Sequence, residues 1–467
     1  MNRTIFTCLI TTMLLSACVT TPLPELESSD VPQQWQATLD PDNRNWPSQD
    51  WWTGFSNDEL NSFIGIVIAN NFDLEVNSRN LESAQISLRD AGFDLFPTPL
   101  LQVGTQPVYN DSRIDGDTQR GSANEDLTLG VSASYSNILS KPAVYDGETA
   151  DYDSRFAQAA DISLNTLSTA ASVYFQLLLT RDRIEFSRLN VANAETIYAI
   201  ATARVESGVA VPIEALQQQI SLERERILLR NYMQDDLALR ASLALLSGQS
   251  LQGFDLDGTT LDAVAIPDIQ PGLTSELLTR RPDLVQAEAE LRSSRANVDV
   301  VRSNYLPQIS LTGSGNTVSN SLSTLVQNPD SLISLQTNLA QILLDNGQRG
   351  RNTDRAMLEM ENSLSRYRAA VINAFNEIEV ILSDVEFLAA QTEVETQNLA
   401  AAEESFRIAE LRYEEGVVDF EAVLIPQNAL FSTRSSYLNS KLSQLNAALA
   451  LYQALGGGWE MTQAPAS

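Results

Sequence analysis

Ile408-Ala409-Glu410-Leu411-Arg412-Tyr413-Glu414-Glu415-Gly416-Val417-Val418-Asp419-Phe420-Glu421-Ala422-Val423-Leu424-Ile425-Pro426-Gln427 is the stretch that decides the fold. It reads as a long helix, a stop at Gly416 and a second helix a few residues later. Glycine just past a periodic run is the commonest helix C-cap, because the left-handed backbone costs it little. Asp419 suits the N-cap of the second helix. The same pattern stands upstream. Ile200, Ala201, Arg204, Glu206, Gly208, Val209, Leu216 and Gln219 recur as Ile408, Ala409, Arg412, Glu414, Gly416, Val417, Leu424 and Gln427, each 208 residues on (416 − 208 = 208). Eight identities in one ungapped register indicate an internal duplication.

The helices leading into these turns carry a seven-residue repeat. Met357, Leu364, Val371, Ile378, Val385, Thr392, Leu399, Phe406 and Tyr413 succeed one another at that spacing, with one polar break. The first copy keeps the register in Ala170, Leu177, Ile184, Val191, Tyr198 and Val205. A sustained repeat of this period packs helices in left-handed supercoils. Arg155–Glu206 then makes a helix of roughly 78 Å and Gln348–Glu415 one of roughly 100 Å, at about 1.5 Å per residue. Helices over Ile213–Ser247 and Glu421–Leu455 return from the two turns.

Composition excludes several functions. The 467 residues hold 30 basic and 60 acidic side chains, a net charge of −30, which speaks against nucleic acid as a partner. There is no histidine, and the two cysteines, Cys8 and Cys18, both lie near the N-terminus. The body of the chain therefore lacks the commonest general base and any cysteine-based zinc site. No phosphate-binding loop, dinucleotide fingerprint or nucleophile elbow is present. Acidic pairs such as Glu403-Glu404 and Glu414-Glu415 read as solvated helix faces. The chain is read as no enzyme, with no catalytic residue, metal or cofactor.

In chain order, Arg3 and the apolar run Ile5–Leu15 form a signal too short to span a bilayer, ending Leu15-Ser16-Ala17-Cys18. This looks like a lipoprotein signal in which Cys18 becomes the acylated first residue. A plain secretory cut after Ala17 is the alternative. Residues 18–50 read as an extended tether. A first repeat at 51–248 holds helices near Asp58–Asn70 and Asp73–Asp94, a strand pair near 100–139, a long helix and the turn near 208. A connector occupies 249–272. A second repeat at 273–456 holds a helix from Pro282 to about Asn304, a strand pair near 308–344, a long helix and the turn near 416. A tail closes the chain at 457–467.

The strands alternate with a period of two. Leu101, Val103 and Thr105 are interleaved with Gln102, Gly104 and Gln106. Beyond a loop at Asn110–Asn124, Leu127, Leu129, Val131, Ala133 and Tyr135 are interleaved with Thr128, Gly130, Ser132 and Ser134. Ile309 and Leu311 lead the third strand. In the fourth, Ile333, Leu335, Thr337 and Leu339 alternate with Ser334, Gln336, Asn338 and Ala340. One apolar face and one small polar face fit a barrel with lipid outside and water inside. Four strands cannot close a barrel, so several chains must combine.

Several motifs resemble the TolC-like outer membrane efflux proteins, in their lipoprotein branch. They are Cys18, Trp51-Trp52-Thr53-Gly54-Phe55, Arg281-Pro282-Asp283-Leu284, Asn304-Tyr305-Leu306-Pro307-Gln308-Ile309-Ser310-Leu311, Arg412-Tyr413-Glu414-Glu415-Gly416 and Leu455-Gly456-Gly457-Gly458-Trp459. The resemblance spans nearly the whole mature chain. It implies a mixed α and β membrane protein: a homotrimer whose twelve strands close a transmembrane barrel, continued by long coiled-coil-like helices forming a periplasmic helical barrel. It also implies an outer-membrane location, with a lipid anchor and most of the chain in the periplasm.

The function implied is the passive exit duct of a tripartite efflux pump, served by a periplasmic adaptor and an inner-membrane transporter. A type I protein secretion duct is the alternative, and a surface-anchored coiled-coil stalk without a pore is a third reading. Cys18 is the expected lipid attachment site. Gly208, Gly416, Arg204 and Arg412 are the expected adaptor-docking turns, and Tyr413, Asp419 and Glu421 the candidate gate. Two stretches depart from the family pattern. Ile425-Pro426 stands where relatives often place an Asp, and Lys141–Glu148 lacks the usual aromatic-acid-basic pattern, which predicts an irregular passage into the first long helix.

Overall fold

The computed structural model describes residues 21–23, 31–32, 35, 46–114, 117–269, 277–319, 330–415, 417–418 and 421–459. Cys18, Gly416, Asp419 and the tail beyond 459 lie outside the described residues. The first half forms α1 (Asp58–Asn70), α2 (Phe72–Phe93), β1 (Thr98–Ile114), β2 (Asp117–Tyr135), α3 (Lys141–Glu206) and α4 (Pro212–Leu246). The second forms α5 (Pro282–Ser303), β3 (Gln308–Ser319), β4 (Asp330–Ala340), α6 (Gln348–Glu414) and α7 (Glu421–Ala454). The order helix, two strands, long helix, return helix therefore occurs twice.

Three sequence expectations need correction. The first long helix does not start at Arg155 but at Lys141, so it has 66 residues against 67 in its counterpart. Nor is Lys141–Glu148 irregular: it is the first two turns of α3. Pro142 stands at the second helical position, where a missing N–H costs no intrahelical bond. The Lys141 ammonium donates to the Asp94 carbonyl and lies over the Tyr135 ring, 4.9 Å from its centroid. Gly147, a weak helix former, faces Ala296 of α5, so packing supplies what propensity lacks. The loop expected at Asn110–Asn124 is likewise mostly strand, with β1 and β2 paired from Thr98↔Ser134 out to Ile114↔Asp117. Backbone pairing continues where the apolar alternation stops, because the ladder bonds do not depend on side-chain character.

Contacts divide the chain into two units. The first comprises residues 81–155 and 286–367 with the stretch before residue 26, and it holds the whole sheet. The sheet is antiparallel in the order β1-β2-β3-β4. Its register decides the faces, since directly opposed residues share a side. Leu101 opposes Val131 and Val103 opposes Leu129; Gly315 opposes both Val131 and Ile333, and Gly313 both Ala133 and Leu335. The apolar sets of all four strands thus fall on one face, where Leu101, Val103, Val131, Ile333 and Leu335 are exposed. The other face carries Ser132, Ser314 and Ser334 in one row, with Ser314 and Ser334 hydrogen-bonded at 2.7 Å. Apolar residues also occur on this side: Leu100 stands opposite Ser132, Val318 opposite Thr128 and Leu332 opposite Asn316.

The second unit comprises 27–80, 156–285 and 368–467 and holds the main core. Trp51, Phe55, Phe63, Tyr174, Phe175, Leu243, Leu261 and Tyr452 lie buried together, each large side chain contributing about 1.5–3 kcal/mol by leaving water. The connector is tied to α3 by two consecutive residues. Arg181 donates to the Leu256 and Gly258 carbonyls, and Asp182 accepts from the Leu261 amide at 2.8 Å. Arg281 reaches Asp283, Glu377 of α6 and the Ala454 carbonyl at the end of α7. Gly456, Gly457 and Gly458 all have positive φ, and a Cβ on the first or third would meet the backbone of Arg280 or Ser48.

The face assignment makes a direct prediction. Val131→Arg places a charge on the apolar face and should cost about 2–4 kcal/mol if that face meets lipid. Ser132→Arg on the opposite face should be tolerated. The yield of heat-resistant oligomer in isolated membranes distinguishes them, and equal loss would mean the faces are misread.

Candidate functional site

The two helix turns are built alike. At the first, the Ser207 amide donates to the Ala203 carbonyl at 3.0 Å, and the Val209 and Ala210 amides donate to the Arg204 carbonyl at 3.0 and 3.1 Å. At the second, Glu415 donates to Leu411 at 3.0 Å, and Val417 and Val418 donate to the Arg412 carbonyl at 2.9 and 3.4 Å. The same three bonds recur 208 residues apart. They return the carbonyls that a helix end leaves unpaired, in the closure typical of a left-handed residue after the helix. Gly208 is that residue, at φ +77° with open space around its Cα.

The expected docking residues Arg204 and Arg412 thus act first through their main chains, and their side chains are exposed. Gly416 and Asp419 lie outside the described residues. Tyr413 is exposed on the last turn of α6, and Glu421 opens α7. Around the turns Val209, Val211, Ile213, Val417 and Ile425 are exposed apolar side chains. Single exposed apolar residues need no explanation, whereas here they are grouped at both turns.

Behind the turns, α3 contacts both return helices. Arg226 of α4 pairs with Glu195 at 2.8 Å, and Arg181 with Asp236 of α4 at 3.3 Å. On the other side Ser172 donates to Asn446 of α7 at 2.9 Å, and Phe186 meets the Phe431 ring at 6.5 Å. α4 and α7 thus flank α3, and the chain runs from α6 into α7 through the second turn. The seven-residue set from Val371 to Phe406 faces inward. A second set of the same period, Val380, Phe387, Val394 and Ile408, is 61, 66, 55 and 46% exposed. Ile213, Ile220 and Ile227 repeat by seven on α4 and are also exposed. The sequence reading missed both outer stripes. Their signal was present as a second register beside the inward one, hidden because one heptad series already accounted for the helix.

The passage from β4 to α6 is a local network. The Asp345 carboxylate accepts from the amides of Gly347 and Arg349 at 3.0 and 2.9 Å and from Arg349 Nε at 2.8 Å. Asn346 and Gly347 supply the positive φ the bend requires. Arg349 also donates to the Ile342 carbonyl at 2.9 Å and lies over the Tyr305 ring. The backbone and side-chain bonds from Arg349 hold the Asp345 pKa down, to about 2. Among the described residues no group of three or more His, Cys, Asp or Glu could hold a metal ion.

A sequence profile of the outer membrane efflux protein family matches residues 63–249 and 273–457. The chain is 30% identical over 454 residues to the pyoverdine export outer membrane protein OpmQ of Pseudomonas aeruginosa, covering 96% of this chain and 95% of that protein. It is 24% identical to the cation efflux system protein CusC of Escherichia coli, covering 96% and 97%. The solved CmeC outer membrane channel of Campylobacter jejuni has the same fold, with a TM-score of 0.81 at 20% identity over 95% of both chains.

Gly208→Val should raise the energy of the first turn by about 1–2 kcal/mol, because a Cβ disfavours the left-handed backbone. The expected outcome is faster amide exchange confined to the turn and its flanking helix ends, with the sheet unchanged. At the strand-to-helix passage the sign of the pH effect comes from a lowered carboxyl pKa. The ionised Asp345 contributes stability that is full above the ordinary carboxylate pKa of about 4 and is lost as pH falls through about 2. The stability gap between the parent and Asp345→Asn should therefore narrow as pH falls from about 5 to about 2, read by thermal melts across that range.

Proposed function

The chain belongs to the outer membrane efflux protein family, and from that premise we propose that it is the exit duct of a tripartite efflux pump. It passes small toxic molecules from a periplasmic adaptor and an inner-membrane transporter to the outside. It carries out no chemistry of its own, and the energy comes from the transporter. The observation that carries this reading is the sheet: four strands whose apolar sets share one face, with Leu101, Val103, Val131, Ile333 and Leu335 exposed on it, and two edges without a partner strand among the described residues. A barrel wall needs that design, and a single copy cannot supply the whole wall.

Three copies give twelve strands. The helices support the same number of joins, because α4 and α6 each bear an exposed stripe of period seven. The stripe on α6 of one copy meets that on α4 of the next, as in other coiled-coil seams. The exposed apolar turns around Gly208 and Gly416 form the periplasmic end and take the adaptor. Arg204 and Arg412 fix those turns through their carbonyls, while Tyr413, Asp419 and Glu421, present three times around one axis, form the gate. The repeats run over 51–248 and 273–456. Cys18 carries the acyl anchor, and most of the chain lies in the periplasm. OpmQ exports pyoverdine and CusC serves cation efflux by their names. We take this chain's cargo to be small molecules of that size class.

Two measurements test the reading. The purified oligomer should conduct in a planar bilayer, and deletion of the gene should sensitise cells to some of a panel of drugs, dyes and metals. An anchored stalk gives no conductance, and a protein-secretion duct gives conductance without sensitisation. For the seam, Phe387→Glu replaces a stripe residue by a charge and should weaken each join by about 1.5–3 kcal/mol. It should appear as oligomer that dissociates at lower temperature with monomer helicity intact.

A further inference from the structure

The segment after Cys18 reads as a slack tether, yet Thr21 is gripped. Its backbone amide donates to Asp299 Oδ1 at 3.2 Å, and its hydroxyl donates to the same oxygen at 2.6 Å. Arg302 Nη1 donates to the hydroxyl oxygen at 2.7 Å. Thr21 is only 6% exposed. Asp299 and Arg302 stand three residues apart on α5 and so share one side of the helix. The other guanidinium nitrogen, Arg302 Nη2, meets Met357 Sδ at 3.9 Å. An acid and a base therefore engage both the amide and the hydroxyl of Thr21, through charge-assisted bonds of the stronger kind. Pro22 comes next, and its fixed φ lowers the entropy lost on ordering.

Further along, the segment touches the body again, in the other unit. The Trp35 ring lies 5.8 Å from that of Phe375, and Arg280 lies 4.9 Å over the Trp46 ring. A free spacer would have no use for these contacts.

We propose that Asp299 and Arg302 form a docking site for the mature N-terminal segment, and that this site sets where the acyl group of Cys18 enters the membrane. The proposal rests on the lipid-anchor reading of Cys18. Distances decide the point. A flexible chain from 18 to 50 would let the anchor roam about 30 Å from the folded body. Three peptide units bound the distance from Thr21 to Cys18 at about 11 Å. β3 begins five residues after α5 ends (308 − 303 = 5), so the clasp lies at the strand-bearing end of that helix. The anchor's role is then positional: it enters the bilayer beside the sheet of its own chain.

The test uses the full-length protein in outer-membrane preparations, as parent, Asp299→Ala and Thr21→Val. Removal of the N-terminal segment by an added protease is timed, alongside palmitate labelling and heat-resistant oligomer. Cutting requires the clasp to open, so its rate tracks the open population. Both variants should assemble, keep their label and lose the segment roughly tenfold faster or more. Equal cutting rates in all three proteins would overturn the docking site. Should Asp299→Ala fail to assemble, Thr21→Val, which removes only the hydroxyl contacts, decides alone. A parent without palmitate would overturn the lipid-anchor reading and the positional role with it, while the cutting rates still report on the clasp.

Discussion

The structure depends on an unclosed sheet. Among the described residues β1 and β4 each leave one row of backbone donors and acceptors unpaired, on a sheet that gathers the apolar sets of its four strands on one face. In water such edges invite pairing with other chains. In hydrocarbon each unpaired group costs several kcal/mol, so strands there exist only as closed barrels. The chain thus carries a part that is unstable in the membrane until copies of it combine. The helices repeat this logic in side chains rather than backbone, since α4 and α6 present apolar stripes that remain about half or more exposed among the described residues.

The core of the second unit is crossed by ion pairs and charged hydrogen bonds. Arg181 and Asp182, adjacent in sequence, hold the middle of the connector against α3, at Leu256 and Gly258 and at Leu261. Glu59 accepts from Tyr174 and from the Gly258 amide, and burial, then that carboxylate, pushes the Tyr174 phenol well above its ordinary pKa. Arg281 ties α6 to the end of α7. Removing one partner would strand a buried charge, which costs more than the pair itself contributes.

The duplication is strict where backbone geometry demands it and loose elsewhere. Both turns close on the same carbonyl, of Arg204 or Arg412. The passages into the long helices differ, one resting on Asp345 and Arg349 and the other on Lys141 and Asp94. The return helices differ too. Pro212 opens α4 where it costs nothing, whereas Pro426 lies inside α7 and removes one backbone bond near the turn.

The sequence by itself determined what repeats along the chain. The 208-residue identity, the seven-residue series and the two-residue alternation were all legible, because helices and strands print their periods directly onto side-chain polarity. The apolar set of each strand was therefore assigned to its own face before any register was known. Tertiary structure decided what depends on neighbours distant in sequence. The start of α3 at Lys141 rests on Asp94, Tyr135 and Ala296; Pro142 is compatible with a helix start, and Gly147 is held by its packing on α5. The strand character of Asn110–Asn124 comes from a partner's backbone, which has no sequence signature. The outer stripes on α4 and α6 became distinct from the inner ones only once packing showed which series was covered. Thr21 looked like any tether residue until folding brought Asp299 and Arg302, some 280 positions away, to within hydrogen-bond distance of it.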